Sequence, residues 1–170
     1  FLLWVLGQDL PGAITVKPAD GEALPFSVEE KSNVENLKEG PMRFSLAGVQ
    51  LKFSAVQQAS GGLTIPATGT GGSWIVKLPS SRFENVPENE YSMMELARRI
   101  GMDVPETQLL PINEIQNIPE GIGQFGGTAF AIKRFDRADD GDVVHIEDFP
   151  QVFSVYPQDK YQKASMRNIA

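Results

Sequence analysis

The sequence predicts an α+β domain in which an antiparallel sheet carries one packed helix. Two observations lead there. Short runs of period-two alternation, bounded by Gly, Pro, Asn and Asp, recur along the 170 residues and give roughly five to seven strands. Against them stands one segment with a full set of helix start and stop signals, Pro87 to Ile100.

Taken in order, Phe1 to Leu6 reads as the last turns of a helix stopped by Gly7, and Gly12 to Val16 as a short strand. Residues 17 to 41 are polar and punctuated by Pro and Gly, with room for a short helix from Asn33 to Lys38 behind Ser32 as N-cap. Alternation then sets in. Met42, Phe44 and Leu46 alternate, and from Val49 the pattern is strict: Val49, Leu51, Phe53 and Ala55 on one face, Gln50, Lys52 and Ser54 on the other. The reading is strand, tight turn at Ala47-Gly48, strand. Glycine supplies a positive φ at such a tip and also lets backbone amides approach an anion.

Leu63 to Ala67 follows, then a Thr-Gly-Thr-Gly-Gly turn at 68 to 72. Ser73 to Leu78 is a strand closed by Pro79, with Trp74, Val76 and Leu78 on one face and Ile75 and Lys77 on the other. A lysine in so apolar a run either snorkels from an edge strand or has a charged partner.

The helix begins with Pro87 in its first turn and Glu88 and Glu90 at the positive end of its dipole; Arg98 and Arg99 occupy the last turn, and Gly101 stops it. Its apolar stripe is Met93, Met94, Ala97 and Ile100, which puts Glu90 on the packed face. Compensation of the dipole would also place a glutamate there. Strands at Gln108 to Ile112 and Thr128 to Lys133 come next, and the second runs into Arg134-Phe135-Asp136-Arg137. A turn at Asp139-Asp140-Gly141, a strand from Asp142 to Ile146, and a helix from Phe149 to Val155 N-capped by Asp148 complete the series.

Composition narrows the function classes. With no cysteine, disulfides and Cys-based metal sites are excluded, and the single His145 leaves little room for a His-ligated metal or a Ser-His-Asp triad. A net charge of −7 with scattered basic residues argues against a dedicated nucleic-acid surface. No segment approaches the apolar length that crosses a bilayer, and a cytoplasmic protein is expected. The start at Phe1 and the unfinished end at Ala170 raise the expectation of a piece of a longer protein.

The order of parts carries chemistry. A glycine-tipped hairpin, a strand lysine, a helix glutamate on the packed face, further strands and a connector follow the order by which a kinase small lobe holds ATP. There a strand lysine pairs with phosphate oxygens and a helix glutamate holds it extended. The G-x-G-x-x-G-x-V and V-A-I-K signatures of protein kinases are absent from the sequence.

Six motifs then occur in one order: Gly7-Gln8-Asp9-Leu10-Pro11-Gly12-Ala13, Phe44-Ser45-Leu46-Ala47-Gly48-Val49-Gln50-Leu51-Lys52, Ile75-Val76-Lys77-Leu78-Pro79, Asn89-Glu90-Tyr91 with Gly101-Met102-Asp103-Val104-Pro105, Arg134-Phe135-Asp136-Arg137, and His145-Ile146-Glu147-Asp148-Phe149. Through them the chain resembles the HipA family of bacterial serine/threonine kinases, the toxins of HipBA-type toxin–antitoxin modules.

The resemblance implies a kinase-like small lobe whose helical large lobe is absent from this chain. Residues 1–40 would be a remnant of an N-terminal subdomain with its connector, 41–137 the ATP-binding lobe and hinge, and 138–170 the start of the segment leading to the large lobe. Ser45 matches an autophosphorylated loop serine. Ala47, Gly48, Val49 and Gln50 would cover the nucleotide, with Lys52 near it. Lys77 matches the ATP-phosphate lysine, and Glu90 is its pairing candidate. Lys133, Arg134 and Phe135 match the adenine hinge, and Asp136 would take the ribose.

The implied cofactors are ATP and Mg²⁺. The implied partners are a helix-turn-helix, HipB-like antitoxin, operator DNA through it, and a protein substrate such as an aminoacyl-tRNA synthetase. The catalytic and metal-binding aspartates of the family belong beyond Ala170, so this chain is expected to hold neither a catalytic nor a metal residue. The alternatives are a non-catalytic module that binds a partner kinase or a repressor, and a β-rich domain whose glycines only make turns.

Overall fold

The computed structural model describes residues 9–17, 19, 50–66, 71–80, 83–118, 126–138, 141–163 and 165–169. Five strands form one curled antiparallel sheet: β1 (Lys52–Gln57), β2 (Leu63–Thr64), β3 (Trp74–Lys77), β4 (Thr107–Pro111) and β5 (Thr128–Lys133), in the order β2-β1-β3-β5-β4. One long helix, α1 (Val86–Arg99), joins β3 to β4. Among the described residues three single-turn α-helices follow the sheet: α2 (Phe149–Val152), α3 (Lys160–Lys163) and α4 (Met166–Ile169).

Register divides the sheet into two unlike faces. Phe53 lies opposite Val76, Ala55 opposite Trp74, Val76 opposite Ala131, and Leu110 opposite Ala129. Directly opposed residues project to the same side, so all of these share one face. That face is the core, closed by Leu63, Ile65, Leu78, Ile112 and Ile115. The opposite face carries Lys52, Lys77 and Phe130, and α1 lies across its β4–β5 end, where Thr128 donates to Glu88.

Helix α1 packs through Pro87, Met94 and Ala97, with Glu90 at the same helical spacing. The stripe expected from sequence is therefore only half right: Met94 and Ala97 face the sheet, but Met93 and Ile100 are 56% and 66% exposed. A line through Pro87, Glu90 and Met94 rotates the helix so that Met93, Leu96 and Ile100 turn outward. Its C-terminus closes with Gly101 at φ 88, whose N–H donates to the Arg98 carbonyl while Met102 donates to Ala97.

Other expectations change. Gly12 to Val16 forms no strand; Gly12 turns at φ 77, and its amide donates to Asp136 rather than to a ladder. Asp142 to Ile146 contributes only an isolated bridge between Val143 and Arg137. Of the segment from Leu63, only Leu63–Thr64 is a strand among the described residues, and the amide of Ile65 is taken by the Gln116 carbonyl at 3.0 Å. The helix behind Asp148 ends at Val152; its capping box is present, and Ser154 at φ 53 turns the chain away. The expected elements at Phe1–Leu6, Asn33–Lys38 and the tip Ala47-Gly48 lie outside the described residues, and β1 begins at Lys52. Among the described residues no helix is long and apolar enough to cross a membrane.

Gly72, buried at the entrance of β3, has the Ala55 backbone so close that a Cβ would overlap its nitrogen, carbonyl carbon and oxygen. Its amide also donates to Ser54 Oγ at 2.9 Å. Gly72→Ala is expected to lower stability by about 3 kcal/mol, read as a shift of the urea midpoint. Gly62→Ala, where the nearest atom stands at 3.6 Å, should change it little.

Candidate functional site

The α1 face of the sheet gathers charge that the core face excludes. Lys52 on β1 and Lys77 on β3 sit directly opposite one another. Lys77 Nζ and Glu90 Oε2 form an ion pair, each side chain about a quarter exposed. The ammonium also stands 5.5 Å from the ring centroid of Phe130, its register partner on β5. The lysine thus has a carboxylate and an aromatic face to hold it. It is not a snorkelling edge residue, because β1 and β5 flank its strand.

Burial lowers the Lys52 pKa, and the nearby charges of Lys77 and Lys160 lower it further against the opposing pull of Glu90. A phosphate anion placed there would favour the protonated lysine, so the donor set fits a polyphosphate. Gln50, expected to cover a nucleotide, donates from Nε2 to the Leu78 carbonyl at 2.8 Å. That bond ties the chain entering β1 to the end of β3. Ser45, Ala47, Gly48 and Val49 lie outside the described residues.

The other end of the site is where β5 leaves the sheet. The amide of Lys133 donates to the Glu106 carbonyl and that of Arg134 to the Ser73 carbonyl, both at 2.8 Å. Phe135 is 68% exposed and lines an open hollow of about 670 Å³ together with Met94, Pro105 and Ile132.

Arg134 also borders the hollow, but its side chain and that of Asp136 turn into the protein. Both are buried, and Arg134 donates from Nε and Nη2 to Asp136 at 3.0 and 2.8 Å and from Nη1 to Asp9 at 3.0 Å. Asp136 Oδ2 also accepts from Arg137 Nη1 at 2.9 Å and from the Gly12 amide at 2.8 Å. The carboxylate that sequence reading gave to a ribose is thus largely taken up inside the protein.

Asp9 and Arg137, to which sequence reading gave no role, complete this cluster. Burial pushes the Asp9 carboxyl up, but the Gly71 amide and the Arg137 and Arg134 guanidinium groups outweigh it and hold it below its ordinary value. Asp136 behaves alike: burial raises it, and Arg134, the Gly12 amide and Arg137 bring it lower. Burial alone would lower Arg134, yet Asp136 and Asp9 hold it above its usual range. The only signal in the sequence was a pair of acids and a pair of arginines in two motifs, separated by more than a hundred residues. Among the described residues no group of three or more His, Cys, Asp or Glu side chains is arranged to hold a metal.

Comparison with known proteins places this geometry. The HipA-like C-terminal domain family matches residues 44–170, and the chain belongs to that family. It is 55% identical over 170 residues to a Sinorhizobium fredii protein named "Putative kinase Y4dM", covering 99% of this chain and 41% of that protein. A second protein of the same organism, "Putative kinase Y4mE", is 32% identical over 183 residues, covering 94% of this chain and 40% of it.

The chain therefore spans about two fifths of the length of these curated relatives. Its fold matches the HipA chain in a complex of Shewanella oneidensis MR-1 HipA, HipB and operator DNA. The TM-score is 0.56 at 24% identity, over 96% of this chain and 40% of that one. The sheet and helix are those of a partial HipA kinase-like lobe.

A depressed carboxylate stabilises the fold fully above its unfolded value of 3.8 and loses that contribution as pH falls through the lower folded value. Wild type should exceed Asp136→Asn by about 3 kcal/mol near neutrality. That gap should hold down to the ordinary carboxylate range and close below it. Urea midpoints measured against pH check this; a gap that closes already in the mildly acidic range contradicts it.

Proposed function

We propose that this chain is the nucleotide-holding part of a HipA-type serine/threonine protein kinase. The observation that carries the reading is the Lys77–Glu90 ion pair on the sheet face that also bears Lys52. Phosphoryl transfer asks the protein for positioning and charge neutralisation, and this face offers both.

In this reading Glu90 holds Lys77 extended, and Lys77 and Lys52 take phosphate oxygens. By the family resemblance Ala47 to Gln50 would cover the phosphates, and Gln50 bonds to the Leu78 carbonyl. Lys133, Arg134 and Phe135 border the adenine, Phe135 from the edge of the hollow. Asp136 serves the ribose end by holding the hinge chain in place, since its oxygens already accept from Arg134, Arg137 and Gly12. Mg-ATP, when bound, supplies the phosphoryl group that the intact protein transfers.

In this reading the catalytic and metal-binding aspartates lie outside this chain, which covers 41% of the relative named "Putative kinase Y4dM". The protein acted upon is of the aminoacyl-tRNA synthetase kind. A HipB-like helix-turn-helix antitoxin, and operator DNA through it, are the partners, in keeping with the complex of the structural neighbour. The setting is the cytoplasm of a bacterium.

Lys77→Met keeps the aliphatic stem and removes the charge. In the intact protein it should cut phosphorylation by roughly 100-fold or more with little change in melting temperature. Glu90→Gln should couple to it: a double-mutant cycle in nucleotide affinity should give clear non-additivity, since the two side chains touch. Full activity in Lys77→Met would return the chain to a non-catalytic binding module.

Ser45 is the second test. A phosphoserine adds about −1.5 to −2 charge at neutral pH beside amides and lysines that face phosphate. Ser45→Asp should weaken ATP binding, whereas Ser45→Ala should bind ATP normally and escape self-inactivation. Equal ATP affinity of the two variants in calorimetry would sink the switch.

A further inference from the structure

Three stretches of chain, far apart in sequence, meet at four charges. Asp9 Oδ1 accepts from Arg134 Nη1 at 3.0 Å and from Arg137 Nη2 at 2.8 Å; its Oδ2 accepts from the Gly71 amide at 2.8 Å. A single carboxylate, only 5% exposed, thereby joins the segment 9–12, Gly71 three residues before β3, and both arginines that flank Phe135-Asp136. Arg137 closes the ring by donating to the Leu10 carbonyl at 2.9 Å and the Gly12 carbonyl at 3.0 Å.

Stability is a poor explanation for such a cluster. Taking ions out of water costs several kcal/mol each, and apolar packing of similar volume is often as stable. What apolar packing does not give is direction. A guanidinium presents its five donors in a rigid plane, so a fork filled on two sides admits essentially one arrangement. Arg134 has its fork filled by Asp136 on one side and Asp9 on the other, and Arg137 lies between the same two acids. With the Arg134 amide also held by Ser73, the chain on both sides of Phe135 is fixed by groups outside the hinge itself.

We propose that Asp9 is a positioning residue for the nucleotide site, fixing the hinge Arg134–Arg137 and the seat of Phe135 at the hollow without touching the nucleotide. The proposal rests on the nucleotide reading of the preceding subsection. Its consequence is a linkage: whatever displaces residues 9–12 weakens the adenine half of the site, and nucleotide at the hinge tightens the hold on that segment in return. The phosphate half is separate. Lys77 stands at the far end of β3 from Gly71 and Trp74, and its partners Glu90 and Phe130 are not in the cluster.

The test uses the intact protein and two probes that divide the site, adenosine and inorganic tripolyphosphate, with binding measured by calorimetry. Asp9→Asn is nearly isosteric and leaves Arg134 paired with Asp136. It should weaken adenosine by about tenfold, as small misplacements of binding groups do, and leave tripolyphosphate within about twofold of wild type. Unchanged adenosine affinity in a folded variant overturns the proposal, and so does an equal loss for both probes, which is general loosening.

If Asp9→Asn does not fold, Asp9→Glu asks the same question. It keeps the charge but lengthens the arm that reaches Arg134, Arg137 and the Gly71 amide, and the same two outcomes decide. A wild-type protein that binds neither probe overturns the nucleotide reading and this proposal together. Failure of the proposal alone shows instead as a wild type that binds both probes and a variant that matches it.

Discussion

The register of β3 against β1 and β5 is the constraint on which the rest depends. Side chains alternate with a period of two, so a slip of one residue would exchange the faces completely. Trp74 and Val76 would leave the core, and Lys77 would enter it. The observed pairing avoids this at every position: Phe53, Val76 and Ala131 line up on the buried side, and Lys52, Lys77 and Phe130 on the other. Gly72 sets the start of that register, because its lack of a side chain lets the chain ahead of β3 lie against Ala55. Chemistry on one face is thus specified by packing on the opposite one.

The two faces solve different physical problems. The core face needs only volume and exclusion of water, and the small Ala55 stands directly opposite the buried Trp74. The α1 face must keep lysines near one another without burying them unpaired. It does so with Glu90 beside Lys77 and with an aromatic ring below the ammonium. At the other end of the sheet Asp9, Arg134 and Asp136 are buried outright, Arg137 partly, and each is answered by an opposite charge in a fixed geometry.

Strands and the main helix were legible where local pattern and tertiary demand agree. Thr128–Lys133 appears with the bounds read from its alternation, and α1 differs from its expected bounds by one residue at each end. Helix spacing put Glu90 on the packed face, since a glutamate one turn before Met94 shares its face; the likeness to a kinase lobe named Lys77 as its partner, and the two do meet. Failures arose where long-range contacts decide. Gly12–Val16 alternates like a strand but is held by Arg137 and Asp136 instead of a ladder. Met93 and Ile100 are as apolar as Met94, and only the direction of Glu90 toward β3 tells which are turned outward. The Asp9 cluster was invisible for a similar reason: charge complementarity across a chain carries no period.

The edge of the sheet at β2 bears on how this lobe meets other chains. β2 is two residues long, and its neighbourhood is stitched by Gln116, which accepts from the Ile65 amide and donates its own amide to the Leu63 carbonyl. Gln58 adds side-chain bonds to Thr64 and Gln116. Strand-by-strand association needs a row of open backbone groups, and a border this short and this occupied does not provide one. Along that border the lobe is guarded against edge-to-edge aggregation, and a protein docking there has side chains to read rather than a strand to extend.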